Sequence, residues 1–320
     1  MKKNLLAILV PVLIVAGCKG RSHEEKAASF PVVVPPSMMD EPQDRADYAA
    51  LHFWDAFTDL SREYSRDTSL CGGVRMEEVE QKFADWTACL SMVDSRTASK
   101  AVSALYSRVS ACEEKDTASN IFETLNELVY KYLYDPNSPV RNEDLYGPYA
   151  QKLAESPLID DARKVSYAND ARMCALNRTG TKAADFRFSD VMGRIYTLYG
   201  IKADWTLLFF SNPGCEACKG IIDFIQGSPE MSGMIEGGEL KVVNIYIDDD
   251  IDAWKSYLHT YPDNWYNGFD PDSVIRNDLV YNVRAIPSLY ILDKDKTVVM
   301  KDAVPENVAA FFHNLYYDGM

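Results

Sequence analysis

Two cysteines separated by two residues offer the clearest chemistry in this sequence of 320 residues. Cys215 and Cys218 enclose Glu216 and Ala217, and a pair at this spacing can close a disulfide or supply half of a zinc site. Zinc needs four ligands, and the sequence has no second CxxC and no paired histidines. The spacing therefore favours thiol–disulfide exchange with no metal and no cofactor beyond the disulfide, in which Cys215 attacks and Cys218 resolves the mixed disulfide.

The residues around the pair predict a strand before it and a helix after it. Residues 205–210 form the continuous apolar run WTLLFF, which is typical of a central strand covered on both faces. Residues 211–214 form a turn, and a helical stretch follows over residues 219–226. A thiolate at a helix N-terminus faces unpaired N–H groups and the positive end of the helix dipole. This position therefore predicts that Cys215 is an activated nucleophile.

The rest of the C-terminal half completes an alternating pattern. Residues 240–247 and 288–292 predict further strands, residues 293–296 a hairpin turn before a strand at 297–300, and residues 305–316 a closing helix. Residues 248–284 exceed a usual crossover and predict a helical insertion. Its aromatic residues are expected to pack in the core: Trp254, Tyr257, Tyr261, Trp265 and Tyr266, together with Leu258.

Residues 180–316 resemble the thioredoxin-fold lipoproteins of the TlpA/ResA type. The resemblance is carried by Ala184-Asp185-Phe186, Phe209-Phe210, the CxxC, Tyr281-Asn282-Val283 and the run from Ile286 to Asp293. It implies a thiol–disulfide oxidoreductase with Cys215 and Cys218 as its catalytic pair. It also implies a cis bond at Ile286–Pro287, where the Ile286 backbone pairs with an extended substrate. Pro213 and Gly214, in the turn before the pair, complete the predicted substrate-binding residues.

Two positions depart from this family. Thioredoxins carry a buried Asp six residues before the first cysteine, where this sequence has Phe209. ResA-like members often carry a Glu three residues after the second cysteine, where this sequence has Ile221. The usual buried proton acceptor is missing at both places. The charge of Glu216 disfavours the adjacent thiolate, so the sequence predicts a comparatively reducing couple.

The N-terminus resembles a bacterial lipoprotein signal. Two lysines precede an apolar run over residues 5–16, and Val15-Ala16-Gly17 lead into Cys18, the position that matches the lipidated cysteine. The alternatives are an ordinary signal peptide and a membrane anchor. The resemblance predicts removal of residues 1–17 and a lipid anchor on Cys18. Because residue 19 is Lys rather than Asp, we expect the outer membrane, facing the periplasm.

Between the signal and the CxxC half, the sequence predicts a tether over residues 18–43 and an all-α domain over residues 44–178. The tether is rich in proline, and the following segment has an apolar period near 3.6, with breaks at residues 71–73 and 136–139. This segment resembles an uncharacterised helical domain found ahead of thioredoxin modules in Bacteroidota lipoproteins. The expected fold is therefore α+β with two domains, the second being a thioredoxin-like α/β sandwich with a central mixed sheet over residues 179–320.

The cysteines outside the CxxC leave two interpretations open. An exported protein can form disulfides, and four cysteines allow three pairings that a sequence cannot distinguish. The alternative is that they are buried thiols within helices. The four residues concerned are Cys71, Cys89, Cys112 and Cys174.

Charge and hydropathy restrict the partners. A net charge of −15 argues against a nucleic-acid binder, and a mean hydropathy of −0.23 excludes a polytopic membrane protein. The expected partners are thiol- or disulfide-bearing envelope proteins and a membrane or periplasmic electron donor. A peroxiredoxin-type peroxidase would carry Pro and Thr where this sequence has Leu208 and Asn212. The remaining alternative is a non-catalytic binding lipoprotein whose helical domain captures a partner and whose redox site is vestigial.

Overall fold

Two regions of different architecture follow one another along the chain, of which the computed structural model describes residues 26–318. In the helical region, residues 26–178, the described helices are α1 (Pro42–His52), α2 (Met76–Ser91), α3 (Ser95–Lys115), α4 (Ile121–Leu133), α5 (Glu143–Glu155) and α6 (Asp161–Cys174). The predicted signal peptide and Cys18 lie outside the described residues. Over residues 26–318, none of the helices has the length and apolar character needed to cross a membrane.

The helices of this region share one apolar core. The apolar stripe of α2, from Val79 through Phe83 and Trp86 to Leu90, is buried, as is the broad apolar face of α4. Side chains cap the N-termini: Asp94 accepts from the backbone of α3, and Asn142 accepts from the backbone of α5. Burying each large apolar side chain contributes about 1.5–3 kcal/mol to folding.

The glycines at the first predicted helix break form the turn of a short hairpin. Strand β1 (Leu70–Cys71) pairs antiparallel with β2 (Val74–Arg75). Gly72 and Gly73 both have positive φ, 56° and 84°, a conformation that side chains other than glycine adopt with strain. A Cβ on Gly72 would also lie 3.1 Å from the side chain of Ile121, so this turn packs directly on α4.

The predicted tether of residues 18–43 is too long. Phe30 is buried in the helical core and stacks on Phe57 with ring centroids 5.0 Å apart. Its backbone N–H donates to Glu78 Oε1 at 2.8 Å, and the backbone N–H of Ala28 donates to the carbonyl of Gly73 at 2.9 Å. A single aromatic residue in a proline-rich segment has no periodic pattern, so the sequence could not reveal this docking.

In the sheet region, residues 179–318, the described strands form a mixed sheet in the order β4-β3-β7-β6-β5-β8-β9. Strand β5 is parallel to β6 and antiparallel to β8, and β6 is parallel to β7. The strands are β3 (Arg187–Ser189), β4 (Ile195–Thr197), β5 (Trp205–Phe210), β6 (Leu240–Tyr246), β7 (Tyr266–Phe269), β8 (Ser288–Asp293) and β9 (Val298–Met300). The helices are α7 (Glu216–Gly227), α8 (Pro229–Gly237), α9 (Ile251–Tyr257), α10 (Val274–Asn277) and α11 (Pro305–Asp318). The predicted α+β class with a central mixed sheet is confirmed.

The predicted helical insertion over residues 248–284 is only partly helical. It contains α9 and α10, but Tyr266–Phe269 is strand β7, which pairs with β6. A Cβ on Gly268 would lie 2.6 Å from the Phe188 ring, so glycine lets β3 and β7 approach closely. The predicted core role of Trp254, Tyr261 and Trp265 is confirmed, since all three are buried.

The four cysteines outside the CxxC are free thiols, so the interpretation as disulfides is wrong. The interpretation as buried thiols within helices holds for Cys112 and Cys174, whereas Cys71 lies in strand β1. Cys71, Cys112 and Cys174 are buried, and Cys89 is half-buried. Burial raises the pKa of the Cys71 thiol to about 12. These thiols therefore hold little thiolate at neutral pH and behave as small apolar side chains.

Candidate active site

Strand β5 and helix α7 place the CxxC pair at one end of the sheet. Leu207 and Phe209 of β5 are buried against α7, whose inward residues recur at helical spacing: Cys218, Ile221, Ile222 and Ile225. Leu208 and Phe210 face the opposite core. Because β5 is covered on both faces, the position of its C-terminal end is fixed. The turn that follows this end places Cys215 at the start of α7.

Cys215 is the N-cap residue of α7. The pair is joined as a disulfide with its Cα atoms 5.2 Å apart, and the Cys215 Sγ accepts a hydrogen bond from the backbone N–H of Cys218 at 3.2 Å. Cys215 is half-buried, whereas Cys218 is 2% exposed. A partner can therefore reach Cys215 first, and in the reduced pair the free N–H groups of the helix start would stabilise its thiolate.

The turn before the pair contains two of the predicted substrate-binding residues. Gly214 is exposed with φ of 70°, a conformation that favours glycine, and Pro213 is half-buried. The Asn212 side chain donates to Asp248 Oδ2 at 2.8 Å, which ties the turn to the loop after β6. The turn is therefore anchored at its start and open to solvent next to Cys215.

The Ile286–Pro287 peptide lies at the same end of the sheet as the disulfide. Phe210, the last residue of β5, pairs with Ser288, the first residue of β8, so the residues before Ser288 lie beside the turn that leads to Cys215. The peptide bond between Ile286 and Pro287 is cis. Ile286 and Cys215 are both half-buried and pack on the same apolar cluster.

Apolar residues occupy the two positions near the CxxC at which the resemblance implies a carboxylate. Phe209 is fully buried and Ile221 is 5% exposed, whereas Glu216, the acid next to Cys215, is exposed. A buried polar cluster that no sequence motif predicted lies at the end of β5. Ser211 Oγ donates to Asn244 Oδ1 at 2.5 Å and lies 3.4 Å from the Tyr261 hydroxyl. Burial raises the pKa of Tyr261. The sequence signal for this cluster was the presence of two polar residues at apolar runs: Ser211 directly after β5 and Asn244 within β6.

A buried charged network, also not predicted from the sequence, lies beside the Ile286–Pro287 peptide. Arg284 donates through Nε to Glu143 Oε1 and through Nη2 to Asp302 Oδ2, both at 2.8 Å. Lys301 Nζ lies 2.7 Å from Glu143 Oε2. Desolvation opposes the charge of Arg284, but Glu143 and Asp302 outweigh it and raise the pKa of the guanidinium. Glu143 is 141 positions from Arg284, so no local pattern could predict this pairing.

Within residues 26–318, no group of three or more His, Cys, Asp or Glu side chains is arranged to hold a metal ion.

Comparison with known proteins identifies relatives for both regions. A family model described as a domain of unknown function, DUF5106, matches residues 17–177. A thioredoxin-like protein from Bacteroides caccae, known from a crystal structure, is 33% identical with a TM-score of 0.77, covering 89% of this chain and 98% of that one. This relative confirms the thioredoxin-like part of the predicted fold.

A second solved structure matches less than half of the chain. The C-terminal domain of an uncharacterized Bacteroides fragilis protein is 43% identical, covering 43% of this chain and 98% of that one with a TM-score of 0.42. No protein of curated function matches. On the DUF5106 match and the Bacteroides caccae relative, the chain belongs to the DUF5106 family and is a thioredoxin-fold protein of the Bacteroidota type.

Proposed function

We propose that this protein is a thiol–disulfide oxidoreductase of the TlpA/ResA type that exchanges disulfides with other proteins. The Cys215 thiolate bonds to one sulfur of a partner disulfide, and the second partner sulfur leaves and takes a proton. Cys218 then bonds to Cys215 and releases the first partner sulfur. The partner gains two electrons and two protons, and the CxxC pair loses them.

The position of Cys215 at the start of α7 carries this proposal. Its Sγ lies 3.2 Å from the backbone N–H of Cys218, an arrangement that favours a thiolate over a thiol. Cys215 is the more exposed residue of the pair, which suits the attacking role. A dithiol donor in the envelope would return two electrons to the disulfide after each turnover, and no organic cofactor enters these steps.

The proposed substrate contacts are the Ile286–Pro287 peptide together with Pro213 and Gly214. These residues surround the end of β5 where Cys215 emerges. An extended partner segment would pair with the Ile286 backbone, which brings the partner's sulfur toward Cys215. Apart from Gly214 and its two chain neighbours, no atom of residues 26–318 lies within 4 Å of where a Cβ on Gly214 would stand, so a partner has room to approach there.

The proposed location is the cell envelope. Removal of residues 1–17 would leave a lipid on Cys18, and each buried CH₂ of the acyl chains would contribute about 0.8 kcal/mol to anchoring. We further propose that the helical domain extends to residue 178 and that a thioredoxin-like domain follows over residues 179–320. Residues 18–25 of the predicted tether lie outside the described residues, and the chain docks on the helical region at Ala28. The anchor would hold this protein in the outer membrane, facing the periplasm.

Trapping tests the proposed activity. The Cys218→Ala variant keeps Cys215 but cannot resolve a mixed disulfide, so it is expected to accumulate covalent complexes that dithiothreitol releases. The experiment is best made in a Cys89→Ala background, since Cys89 is the one half-buried free thiol among residues 26–318. The matched control adds Cys215→Ala.

Two further assays separate the alternatives. Wild-type protein is expected to reduce insulin in the presence of dithiothreitol. Absence of both covalent capture and insulin reduction would favour the non-catalytic binding lipoprotein. Thiol-dependent consumption of hydrogen peroxide at a rate above that of insulin reduction would instead favour a peroxidase.

A further inference from the structure

We propose that Glu143 of the helical region positions the Ile286–Pro287 peptide of the sheet region for binding a protein substrate. The inference rests on the proposed function, because that function assigns substrate binding to this peptide. Glu143 is a positioning residue: its hydrogen bonds and ion pairs reach Asn282, Arg284 and Lys301, and through them it acts on the peptide's flanks.

Glu143 binds the segment before the peptide. Its Oε1 accepts hydrogen bonds from Arg284 Nε and from Asn282 Nδ2, each at 2.8 Å. Its Oε2 lies 2.7 Å from Lys301 Nζ, on the segment that follows β9. One carboxylate at the start of α5 therefore holds three groups of the other region, two of them within four residues of Ile286.

Asp302 links the two flanks of the peptide within the sheet region. Its Oδ2 accepts from Arg284 Nη2 at 2.8 Å, and its Oδ1 accepts from Ser288 Oγ at 2.9 Å. Arg284 lies two residues before Ile286, and Ser288 directly follows Pro287. The planar guanidinium can bind both carboxylates at once, which a lysine ammonium cannot do with the same fixed geometry.

Burial makes this arrangement restrictive. The side chains of Glu143 and Lys301 are each 2% exposed, and that of Arg284 is 10% exposed. A buried charge that loses its partner is strongly unfavourable, so the network tolerates few geometries. The network therefore restricts the position of the Ile286–Pro287 peptide on both sides, through Arg284 before it and Ser288 after it.

A protein substrate and a small disulfide would respond differently to loss of the constraint. A protein segment must pair with the Ile286 backbone, whereas a small aromatic disulfide needs only access to Cys215. Loosening the peptide should therefore impair recognition of proteins while leaving the chemistry of the sulfur unchanged.

The test compares Glu143→Gln with Glu155→Gln. Both substitutions lie on α5 and remove one carboxylate charge, but Glu155 is exposed and accepts a hydrogen bond from Gln151 of the same helix. A second variant, Arg284→Lys, keeps the positive charge and loses the two-carboxylate fork. It decides the question should Glu143→Gln fail to fold. The measurements are KM and kcat with insulin, the rate with a small aromatic disulfide, and amide hydrogen exchange over residues 282–289.

We expect Glu143→Gln and Arg284→Lys to raise KM for insulin by about tenfold, with kcat and the small-disulfide rate within about twofold of wild type. Exchange over residues 282–289 should accelerate while β6 keeps its protection. Glu155→Gln should match wild type in every measurement. Unchanged exchange over residues 282–289 would overturn the proposal, as would an equal acceleration in β6 or a parallel loss with both substrates.

The outcome is separable from that of the proposed function. A wild-type protein that reduces neither insulin nor the small disulfide contradicts the oxidoreductase proposal, and the substrate-binding part of this inference fails with it. The exchange measurement still decides whether Glu143 holds the peptide. A wild-type protein that is active, with insulin kinetics unaffected by both substitutions, contradicts this inference alone.

Discussion

Cys174 and Cys215 lie at opposite ends of two helices in the two regions, and their surroundings differ accordingly. Cys174 is the last residue of α6, is 1% exposed, and has its thiol pKa raised by burial and by the nearby carboxylate of Glu143. Cys215 precedes the first residue of α7, is half-buried, and accepts a backbone hydrogen bond. The helix end and the solvent contact, rather than the residue type, decide which cysteine can react.

The largest effect should come from removing the thiol at the helix start. Cys215→Ser is expected to lower insulin reduction by about a thousandfold or more, to the level of the uncatalysed reaction, because the attacking thiolate is lost. Cys174→Ala should leave the catalytic rate within about twofold, although it removes a buried atom. Turbidity assays with both variants, after circular dichroism shows that they fold, make the comparison. Activity retained in Cys215→Ser would refute the assignment of the nucleophile.

Alkylation of the reduced protein should separate the two classes of thiol almost as strongly. Because burial raises the pKa of Cys71 to about 12, its thiolate fraction at pH 7 is about a thousandfold below that of an ordinary cysteine. Iodoacetamide should therefore modify Cys215 first and leave Cys71 protected until the protein unfolds. Peptide mass spectrometry over a time course measures both rates. Comparable labelling of the two residues in folded protein would contradict the contrast.

The buried thiols should also make the protein sensitive to alkali. Cys71 has a higher pKa in the folded than in the unfolded chain, so the unfolded chain loses its proton first as pH rises. The stability contributed by the protonated thiol is complete below about pH 8.5 and declines between there and about pH 12.

A matched variant isolates this contribution from that of the buried tyrosines. Between pH 7 and pH 11, the free energy of unfolding of Cys71→Ala is expected to fall by about 2–3 kcal/mol less than that of wild type. Cys89→Ala serves as the control, because Cys89 is only half-buried. Urea denaturation at the two pH values measures the difference. Equal alkaline losses in wild type and Cys71→Ala would show that Cys71 ionises normally in the folded protein.

The local arrangement of the site could be predicted because its signals are local. The apolar run at 205–210 coincides with β5, and the CxxC lies at the predicted junction between this strand and the following helix. The core stripe of α2 follows from the period of its apolar residues. In each case a few neighbouring residues determine an element whose burial then reinforces the same choice.

The parts that could not be predicted depend on distant contacts. Strand β7 has four residues, and it is a strand because β6 offers a partner rather than because of its own pattern. Phe30 is held by the helical core, and Glu143 by Arg284, across long stretches of sequence. The single chain contains the residues of such pairs but no signal of which ones meet.

The smallest effect we expect concerns the charge next to the attacking sulfur. Glu216 is exposed at the first position of α7. Its carboxylate interacts favourably with the helix dipole but destabilises the adjacent Cys215 thiolate. Removing the charge should stabilise the reduced pair and make the couple more oxidising. Glu216→Gln is therefore expected to raise the reduction potential by about 15–30 mV, equivalent to about 0.7–1.4 kcal/mol for two electrons.

Glutathione titration followed by tryptophan fluorescence or alkylation measures this potential. The control is Glu236→Gln, which removes a charge that is also exposed, on the neighbouring helix α8. The control should not shift the couple, because screening weakens the influence of an exposed charge that is not adjacent to the sulfur. A lower potential in Glu216→Gln would reverse the proposed role of the charge. A wild-type reduction potential of about −120 mV would contradict the predicted reducing character, because such an oxidising couple requires a strongly stabilised reduced form. In that case the helix start would stabilise the Cys215 thiolate more than the charge of Glu216 destabilises it. The environments of Cys215 and Cys174 would then differ even more in how far they favour a thiolate.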